Sequence, residues 1–311
     1  VTGWLEVWHI FVFALMIGIS WAVSDPVRLA LIADVVPKHR LVNAFALNAL
    51  AFNGTRLILP AVAGILVGVI GPGPTLAVGS GLYLLSAINI NLMNISKISN
   101  DRTVQKSPLG RLVEAWNYIR EEPLVLTILL LGVIPFTMIQ PFVQSLLPVY
   151  ASEFFGMGPA GLGMLLSALG VGATSGNVLL ASVGNIRYKG RVLVSALILA
   201  VGAMAVFPLN LPVLSPIPAL MILGAAMTIY FSVGIAIIQS TVPDRLRGRV
   251  SSIGMMTLGL MPLGAFFSGG VAEIFDARVA TLGSAIFVVV ILVAIIPIIG
   301  RVWKSEVSES L

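Results

Sequence analysis

Residues Val192–Leu211 read VLVSALILAVGAMAVFPLNL, a stretch without a single charged side chain. A helix that crosses the hydrocarbon core of a bilayer needs about 20 mostly apolar residues, and this stretch has that length. Eight similar stretches accompany it, so the sequence predicts an all-α membrane protein with nine transmembrane helices. The other eight are Trp8–Asp34, Leu41–Ile70, Thr75–Ile95, Leu124–Tyr150, Ala160–Val183, Ile217–Val242, Val250–Glu273 and Val279–Val302.

The composition supports a membrane protein and argues against several other classes. Apolar residues make up 58% of the 311-residue chain and charged residues 10%, whereas soluble domains have about 45–50% and about 25%. The net charge of +5 is spread over short loops rather than one basic face, so we expect no nucleic-acid partner. With no cysteine and two histidines, we expect no metal site and no cofactor.

The basic residues indicate how the helices are oriented. Lysine and arginine in short loops favour the cytoplasmic side, and alternate gaps between the predicted helices, with the tail, hold 15 of the 18 basic residues. We therefore expect the visible N-terminus outside the cell and the C-terminus in the cytoplasm. The residues are Lys38, Arg40, Lys97, Arg102, Lys106, Arg111, Arg120, Arg187, Lys189, Arg191, Arg245, Arg247, Arg249, Arg301 and Lys304.

The longest cytoplasmic gap, Ser96–Pro123, is expected to contain a short amphipathic helix that starts at Ser107-Pro108. Its apolar residues recur at helical spacing, and such a helix can lie on the membrane surface or pack on the protein as a linker. The sequence favours neither the membrane-surface interpretation nor the packed-linker interpretation. The apolar residues are Leu109, Leu112, Val113, Trp116 and Ile119.

An internal repeat is visible at about two hundred residues. The turn with Pro37 precedes a helix that contains Pro60 and Gly64, and the turn with Pro243 precedes one that contains Pro262 and Gly264. Six helices with their loops fill about that length. Two parallel six-helix halves are a known transporter plan.

Several motifs together resemble the major facilitator superfamily, in particular its bacterial drug and siderophore exporters. They are Ser24-Asp25-Pro26-Val27-Arg28, Val36-Pro37, Asn43-Ala44-Phe45-Ala46-Leu47-Asn48, Asn53-Gly54-Thr55-Arg56-Leu57 and Val242-Pro243-Asp244-Arg245-Leu246-Arg247-Gly248-Arg249-Val250-Ser251. The family's helix-five motif is retained in part, at Pro60 and Gly64. The resemblance covers essentially the whole chain.

The resemblance implies that the nine spans are helices four to twelve of twelve, with the first three upstream of residue 1. Residues 1–96 would be the rest of the N-terminal half, 97–123 a cytoplasmic linker and 124–311 the C-terminal half. It implies a monomer in the bacterial cytoplasmic membrane, with the lipid bilayer, a small-molecule substrate and protons as its partners. The function implied is proton-coupled efflux of drugs, macrolides or siderophores by alternating access.

Other functions remain open alternatives. A non-transporting receptor or scaffold, or an uptake transporter of the same superfamily, is compatible with the sequence. An enzyme is not expected, because the chain has no cysteine nucleophile and no His-Glu-x-x-His pair. A phosphate-binding Gly-x-x-x-x-Gly-Lys-Ser/Thr loop is also absent from the sequence, so it does not predict ATP hydrolysis.

Charged and amide side chains inside the predicted spans are the candidate site residues, because such groups are costly in hydrocarbon. Arg56, with Asn53 one turn earlier, could bind an anionic substrate or a carboxylate that exchanges a proton; the alternative is a fixed structural ion pair. Gln140, Gln144 and Asn89 could face a central cavity or only bond neighbouring helices.

A second group of charged residues is predicted at the cytoplasmic ends of the helices. Asp25 and Arg28 could form a gate whose ion pairs exchange, or Arg28 could extend to the interface with its own Asp as counter-ion. Asp244, Arg247 and Arg249 recur at the repeat position and could also gate, although positive-inside anchoring and helix capping explain them as well. Small residues such as Gly163, Gly172 and Gly264 predict close helix contacts.

Overall fold

The computed structural model describes residues 7–37, 40–92, 108–184, 186, 188–209 and 216–294, and every regular element in those ranges is helical. In hydrocarbon each backbone N–H must be bonded within the segment, which a helix achieves. The helices are α1 (Val7–Val35), α2 (Leu41–Ile70), α3 (Pro72–Leu92), α4 (Pro108–Glu121), α5 (Pro123–Phe154), α6 (Pro159–Val183), α7 (Lys189–Met204), α8 (Pro216–Thr241), α9 (Asp244–Met256), α10 (Met261–Ile274) and α11 (Ala277–Ala294).

Proline and glycine mark where these helices begin and end. Helices α3, α4, α5, α6 and α8 each start at a proline, whose fixed φ and missing N–H suit the first helical position. Gly71 follows α2 with φ of 83°, and Gly184 follows α6 with φ of 68°, a left-handed conformation that glycine adopts without strain. The gap expected at residues 71–74 is therefore shorter, because Pro72 and Pro74 fit the first turn of α3.

The described part of each of the nine predicted spans is largely helical. Seven helices among the described residues are long and apolar enough to cross a membrane, from Pro72–Leu92 to Ala277–Ala294. The first two predicted spans lie on α1 and α2, which have 29 and 30 residues. The all-α membrane fold is confirmed. The count of nine crossings stays a prediction.

Helix α5 contains three π-helical turns, at Pro135–Ile139, Phe142–Leu146 and Tyr150–Phe154. A proline inside a helix removes the N–H that would bond the carbonyl four residues earlier, and the hydrogen-bond register then shifts locally. Pro135 begins the first turn, Pro141 precedes the second and Pro148 lies shortly before the third. Each of these prolines is thus accompanied by a wide helical turn.

The chain forms two compact units. One comprises residues 1–55 and 69–103, which include α1, α3 and most of α2, and none of the described residues of α3 is buried. The other comprises residues 56–68 and 104–311, so a segment of α2 belongs with α4 to α11. The proposed boundary between the two six-helix halves, near residue 96, lies outside the described residues.

The larger unit has a well-packed aromatic and aliphatic core. Tyr150 is fully buried and packs edge-on against Phe207, with ring centroids 5.5 Å apart. Its hydroxyl donates to Thr281 Oγ1 at 3.1 Å, and Thr281 in turn donates to the Ala277 carbonyl at 2.8 Å. A buried phenol therefore has a partner, which avoids the cost of an unsatisfied polar group.

Helices α6 and α8 cross in backbone contact. A Cβ added at Gly172 would overlap the carbonyl oxygen of Met221, and one at Gly224 would overlap that of Leu169. A Cβ at Gly176 would lie 2.8 Å from Ala225 Cα. The close approach expected from the glycines of α6 is therefore present, and the helix that approaches α6 is α8.

Replacing Gly172 by alanine should destabilise the protein by about 1–3 kcal/mol, the usual cost of overpacking. Gly202 of α7 is the matched control, because a Cβ there meets nothing within 4 Å. Gly202→Ala should raise stability by up to about 1 kcal/mol through helix propensity. Thermal unfolding in detergent measures both changes, and equal Tm shifts of the same sign would contradict the crossing.

Candidate functional site

The segment of α2 within the larger unit crosses α6 at two glycines. A Cβ at Gly64 would lie 2.6 Å from the Pro159 carbonyl oxygen, and one at Gly163 would overlap the carbonyl oxygen of Pro60. The two Cα atoms are also close, since each added Cβ would lie within 3.2 Å of the opposite glycine's Cα. Only glycine allows two helix backbones to approach this closely.

Pro60 has a second effect at this crossing. It lies inside α2, and because proline has no N–H, the carbonyl of Arg56 lacks its usual helix partner. The backbone is thus weakened one turn from the contact with α6. The residues that the family resemblance singled out, Pro60 and Gly64, form the α2 side of this crossing.

The amides of Gln140 and Gln144 lie on the π-helical part of α5. Gln140 is half-buried and its backbone N–H bonds the Pro135 carbonyl five residues earlier. Gln144 is exposed, and its Nε2 donates to Met261 Sδ at 3.6 Å. A weak thioether acceptor leaves most of the amide's hydrogen-bonding capacity unused, so Gln144 can also bond a ligand.

Helix α10 meets α5 at Thr137 and Pro141, next to Gln140 in the chain. A Cβ at Gly264 would overlap the carbonyl oxygen of Thr137 and would lie 2.8 Å from Cγ of Pro141. Gly264 of the second repeat motif therefore lies at a backbone contact, as Gly64 of the first does.

An open groove of about 660 Å³ lies along α6, where Ala225 is its lining residue from α8. Its hydroxyls bond carbonyls of their own helix, as Ser175 does to Gly172 at 2.8 Å and Ser182 to Leu179 at 2.8 Å. The groove therefore presents an apolar surface. Its α6 residues are Val171, Thr174, Ser175, Gly176, Val178, Leu179 and Ser182.

The basic cluster of α9 binds α4. Arg249 Nη1 donates to Glu114 Oε2 at 2.8 Å, and Arg245 Nη1 lies 3.7 Å from Glu114 Oε1. Both partners of the shorter pair are about 30% exposed, which limits water competition. The contact of α4 with α9 is therefore a charge-assisted hydrogen bond flanked by a second, more exposed cation.

Tyr118 adds a bond between α4 and the end of α8. Its hydroxyl donates to the Thr241 carbonyl at 3.3 Å. Burial, and secondarily the Glu122 carboxylate, raise the pKa of Tyr118 above its ordinary value. The phenol therefore stays protonated and able to donate throughout the physiological range.

The whole of this helical chain, residues 1–311, matches one protein-family model, described as transmembrane secretion effector. The chain belongs to the MFS_3 family. This confirms the resemblance to the major facilitator superfamily and indicates a transporter and not an enzyme. Helices with the apolar length of α5 to α8 imply a lipid bilayer around the protein.

Two curated relatives of this MFS_3 chain are transporters by name. The multidrug efflux pump Tap of Mycolicibacterium fortuitum is 23% identical over 278 residues, 85% of this chain and 66% of that protein. The staphyloferrin A transporter of Staphylococcus aureus (strain NCTC 8325 / PS 47) is 23% identical over 308 residues, 97% of this chain and 75% of that protein. The chain thus spans about two thirds to three quarters of their length.

The predicted site residues fall in both units of the chain. Gln140, Gln144, Pro60, Gly64 and Arg249 belong to the larger unit. Asn89 belongs to the smaller one, where it is exposed and its Nδ2 bonds the Leu85 carbonyl of its own helix at 2.8 Å.

Several predicted side chains have no described position. Those of Arg56, Asn53, Asp25 and Asp244 lie outside the described structure, although their backbones are helical. Arg28 is exposed and Arg247 is half-buried. The roles of Arg56 and of the Asp25 and Arg28 pair therefore stay predictions.

Sequence reasoning missed the partners of the α9 cluster. It weighed a gate against anchoring and capping for Asp244, Arg247 and Arg249 and named no partner for them. The available signal was charge complementarity, since the amphipathic helix carries Glu114 and the cluster has three arginines within five residues. Spacing alone could not tell Glu114 from Glu121, because both lie on polar positions of one short helix.

Glu114→Gln should weaken the attachment of α4 to α9 by about 1 kcal/mol, because the amide keeps the shape but loses the charge-assisted bond. Glu121→Gln, on an exposed position of the same helix, should have no comparable effect. A double-mutant cycle with Arg249→Gln, read by thermal unfolding, isolates the pair. Zero coupling between Glu114 and Arg249 would contradict the contact.

Proposed function

We propose that this MFS_3 protein is a secondary transporter of the bacterial inner membrane that exports small amphiphilic molecules in exchange for protons. The family match and the two relatives named for efflux and siderophore transport support a small-molecule cargo. The alternation of basic loops supports a cytoplasmic C-terminus. The family resemblance favours export as the direction of transport and a monomer as the oligomeric state.

The crossing of α2 with α6 carries this proposal. In the predicted division, α2 belongs to the first six-helix half and α6 to the second, and their backbones touch at Gly64 and Gly163. Alternating access requires two halves to rock about a central site. A contact without intervening side chains can separate and close again without repacking a core.

The α6 and α8 groove and the free capacity of Gln144 suit an amphiphilic cargo. The groove offers apolar surface because its hydroxyls bond their own helix. Gln144 offers an amide for the polar end of a ligand. We propose that Arg56, whose charge persists at every physiological pH, binds an anionic cargo group or a carboxylate that exchanges a proton.

Inverted membrane vesicles that contain the protein from its intact reading frame test the proposal. An imposed proton gradient should drive uptake of at least one member of a panel of dyes, macrolides and siderophores. Gly163→Ala should lower the rate of uptake roughly 5- to 150-fold. A clash that costs about 1–3 kcal/mol in one of the two states of alternating access shifts the balance between those states by this factor. Gly283→Ala, where a Cβ meets nothing within 4 Å, should transport normally.

Arg56→Ala should lower gradient-driven uptake at least roughly tenfold, the effect of about 1.4 kcal/mol lost from substrate or proton coupling. Gradient-independent exchange of the same substrate separates the two roles: it survives if Arg56 acts on the proton and falls if Arg56 binds cargo. If no substrate moves and Arg56→Ala changes nothing, a non-transporting receptor or scaffold becomes the better interpretation. Accumulation in right-side-out vesicles instead would indicate an uptake transporter.

A further inference from the structure

Helix α4 has three distinct faces. Ala115 and Ile119 are completely buried in the larger unit. Glu114 and Tyr118, on one flank, bond α9 and the end of α8. The packed-linker interpretation therefore explains part of the helix. Of the five apolar residues that the sequence analysis places on it, exposure is described for Val113, Trp116 and Ile119, and of these three only Ile119 is buried.

The opposite flank is apolar and exposed. Val113 is 57% exposed and Trp116 is 44% exposed, and the two are three residues apart, on one side of the helix. Arg120, four residues after Trp116, places its guanidinium carbon 5.4 Å from the centre of the indole ring. Large apolar side chains exposed side by side at helical spacing are typical of a surface that binds another apolar phase.

The chain places the C-terminal end of α4 next to a helix that is long and apolar enough to cross a membrane. Only Glu122 separates α4 from that helix, α5, which begins at Pro123. The backbone N–H of Glu122 bonds the Tyr118 carbonyl at 3.0 Å, so the junction is not a free linker. In a bilayer that α5 crosses, the end of α4 would therefore lie at the depth of the phospholipid headgroups.

The chemistry of the flank matches that depth. Tryptophan is enriched at membrane interfaces, where its ring lies among the headgroups. Arginine binds phosphate with its planar fork of donors. Arg245 adds positive charge on the other side of the helix, with a side chain that is 76% exposed.

We propose that Val113, Trp116 and Arg120 form a docking surface for the bilayer, in which Arg120 binds the phosphate of an anionic phospholipid headgroup. Val113 and Trp116 insert into the interface, while Glu114 and Tyr118 hold the other flank on the protein. The linker helix is then fixed between the membrane surface and α9. This inference concerns the lipid and is independent of the transported substrate.

The absence of cysteine from the sequence makes a direct test possible. Val113→Cys is labelled with an environment-sensitive fluorophore, and the protein is placed in nanodiscs of neutral phosphatidylcholine with or without phosphatidylglycerol. Glu121→Cys is the matched control, because residue 121 is exposed and lies three residues after Tyr118, on the flank that carries Glu114 and Tyr118. We expect the probe at residue 113 to be quenched by spin-labelled headgroups and protected from iodide, and the probe at 121 to show the reverse.

The headgroup contact has its own test. Arg120→Gln should weaken the response to phosphatidylglycerol roughly five-fold, the effect expected of one basic residue near an anionic surface, and the difference should fade as salt rises. Arg191→Gln is the control, because Arg191 is also exposed and stacks on an aromatic ring, Tyr188, at 4.2 Å. Arg191→Gln should leave the phosphatidylglycerol response of the probe at residue 113 unchanged.

Three outcomes would overturn the proposal. Equal access of iodide to both probes would show that the flank stays in water. Protection of residue 113 from both quenchers would show that protein covers it, either residues 93–107 or a second copy of the chain, and energy transfer between differently labelled copies distinguishes these. An Arg120→Gln titration identical to that of the unchanged protein would remove the headgroup site.

Discussion

Helices in a bilayer gain little from pressing leucines together, because lipid tails are as apolar as leucine side chains. Stable association must come from contacts that lipid cannot offer, and close backbone packing is the strongest of these in this chain. The α6 and α8 pair illustrates it at Gly172 and Gly224, where any side chain would occupy the place of a carbonyl oxygen. The arrangement of α2, α5 and α10 depends on contacts of the same kind.

Charged groups, unlike these backbone contacts, concentrate where water reaches. The arginines of α9 lie just before the hydrocarbon stretch that includes α10, and Glu114 on α4 binds two of them. This interaction uses a partly exposed carboxylate, so its desolvation cost is modest compared with that of a buried pair. The linker helix is thereby attached to one end of the larger unit by polar bonds, and to its core by Ala115 and Ile119.

The sequence predicts the helices well because each signal is local. Length and polarity define the spans, and residues such as Pro159 and Gly184 define their ends without reference to any other part of the chain. The glycines of α6 also predict that something must approach closely. Nothing in a one-dimensional pattern names Met221 or Leu169 as the atoms approached, because that depends on how two helices cross.

The site is less predictable than the fold for the same reason. Gln144 stands out as an amide in an apolar run, but its neighbour Met261 is 117 residues away in the chain. The π turn at Phe142–Leu146 adds a second obstacle, since it changes the phase between Gln140 and Gln144 from that of a regular helix. Amides one turn apart in sequence therefore differ in exposure, one half-buried and the other exposed.

Pro141 and Gly264 show how the irregularity and the packing depend on each other. Because Pro141 has no N–H, the carbonyl of Thr137 loses its usual helix donor. That same oxygen is the atom that a Cβ at Gly264 would overlap, so the Cα hydrogen that the Cβ would replace points toward it. A Cα–H···O contact of about 0.5–1 kcal/mol then replaces part of the missing bond. A proline in one helix and a glycine in another, far apart in sequence, thus act as one structural element, and a change at either would leave the other unsupported.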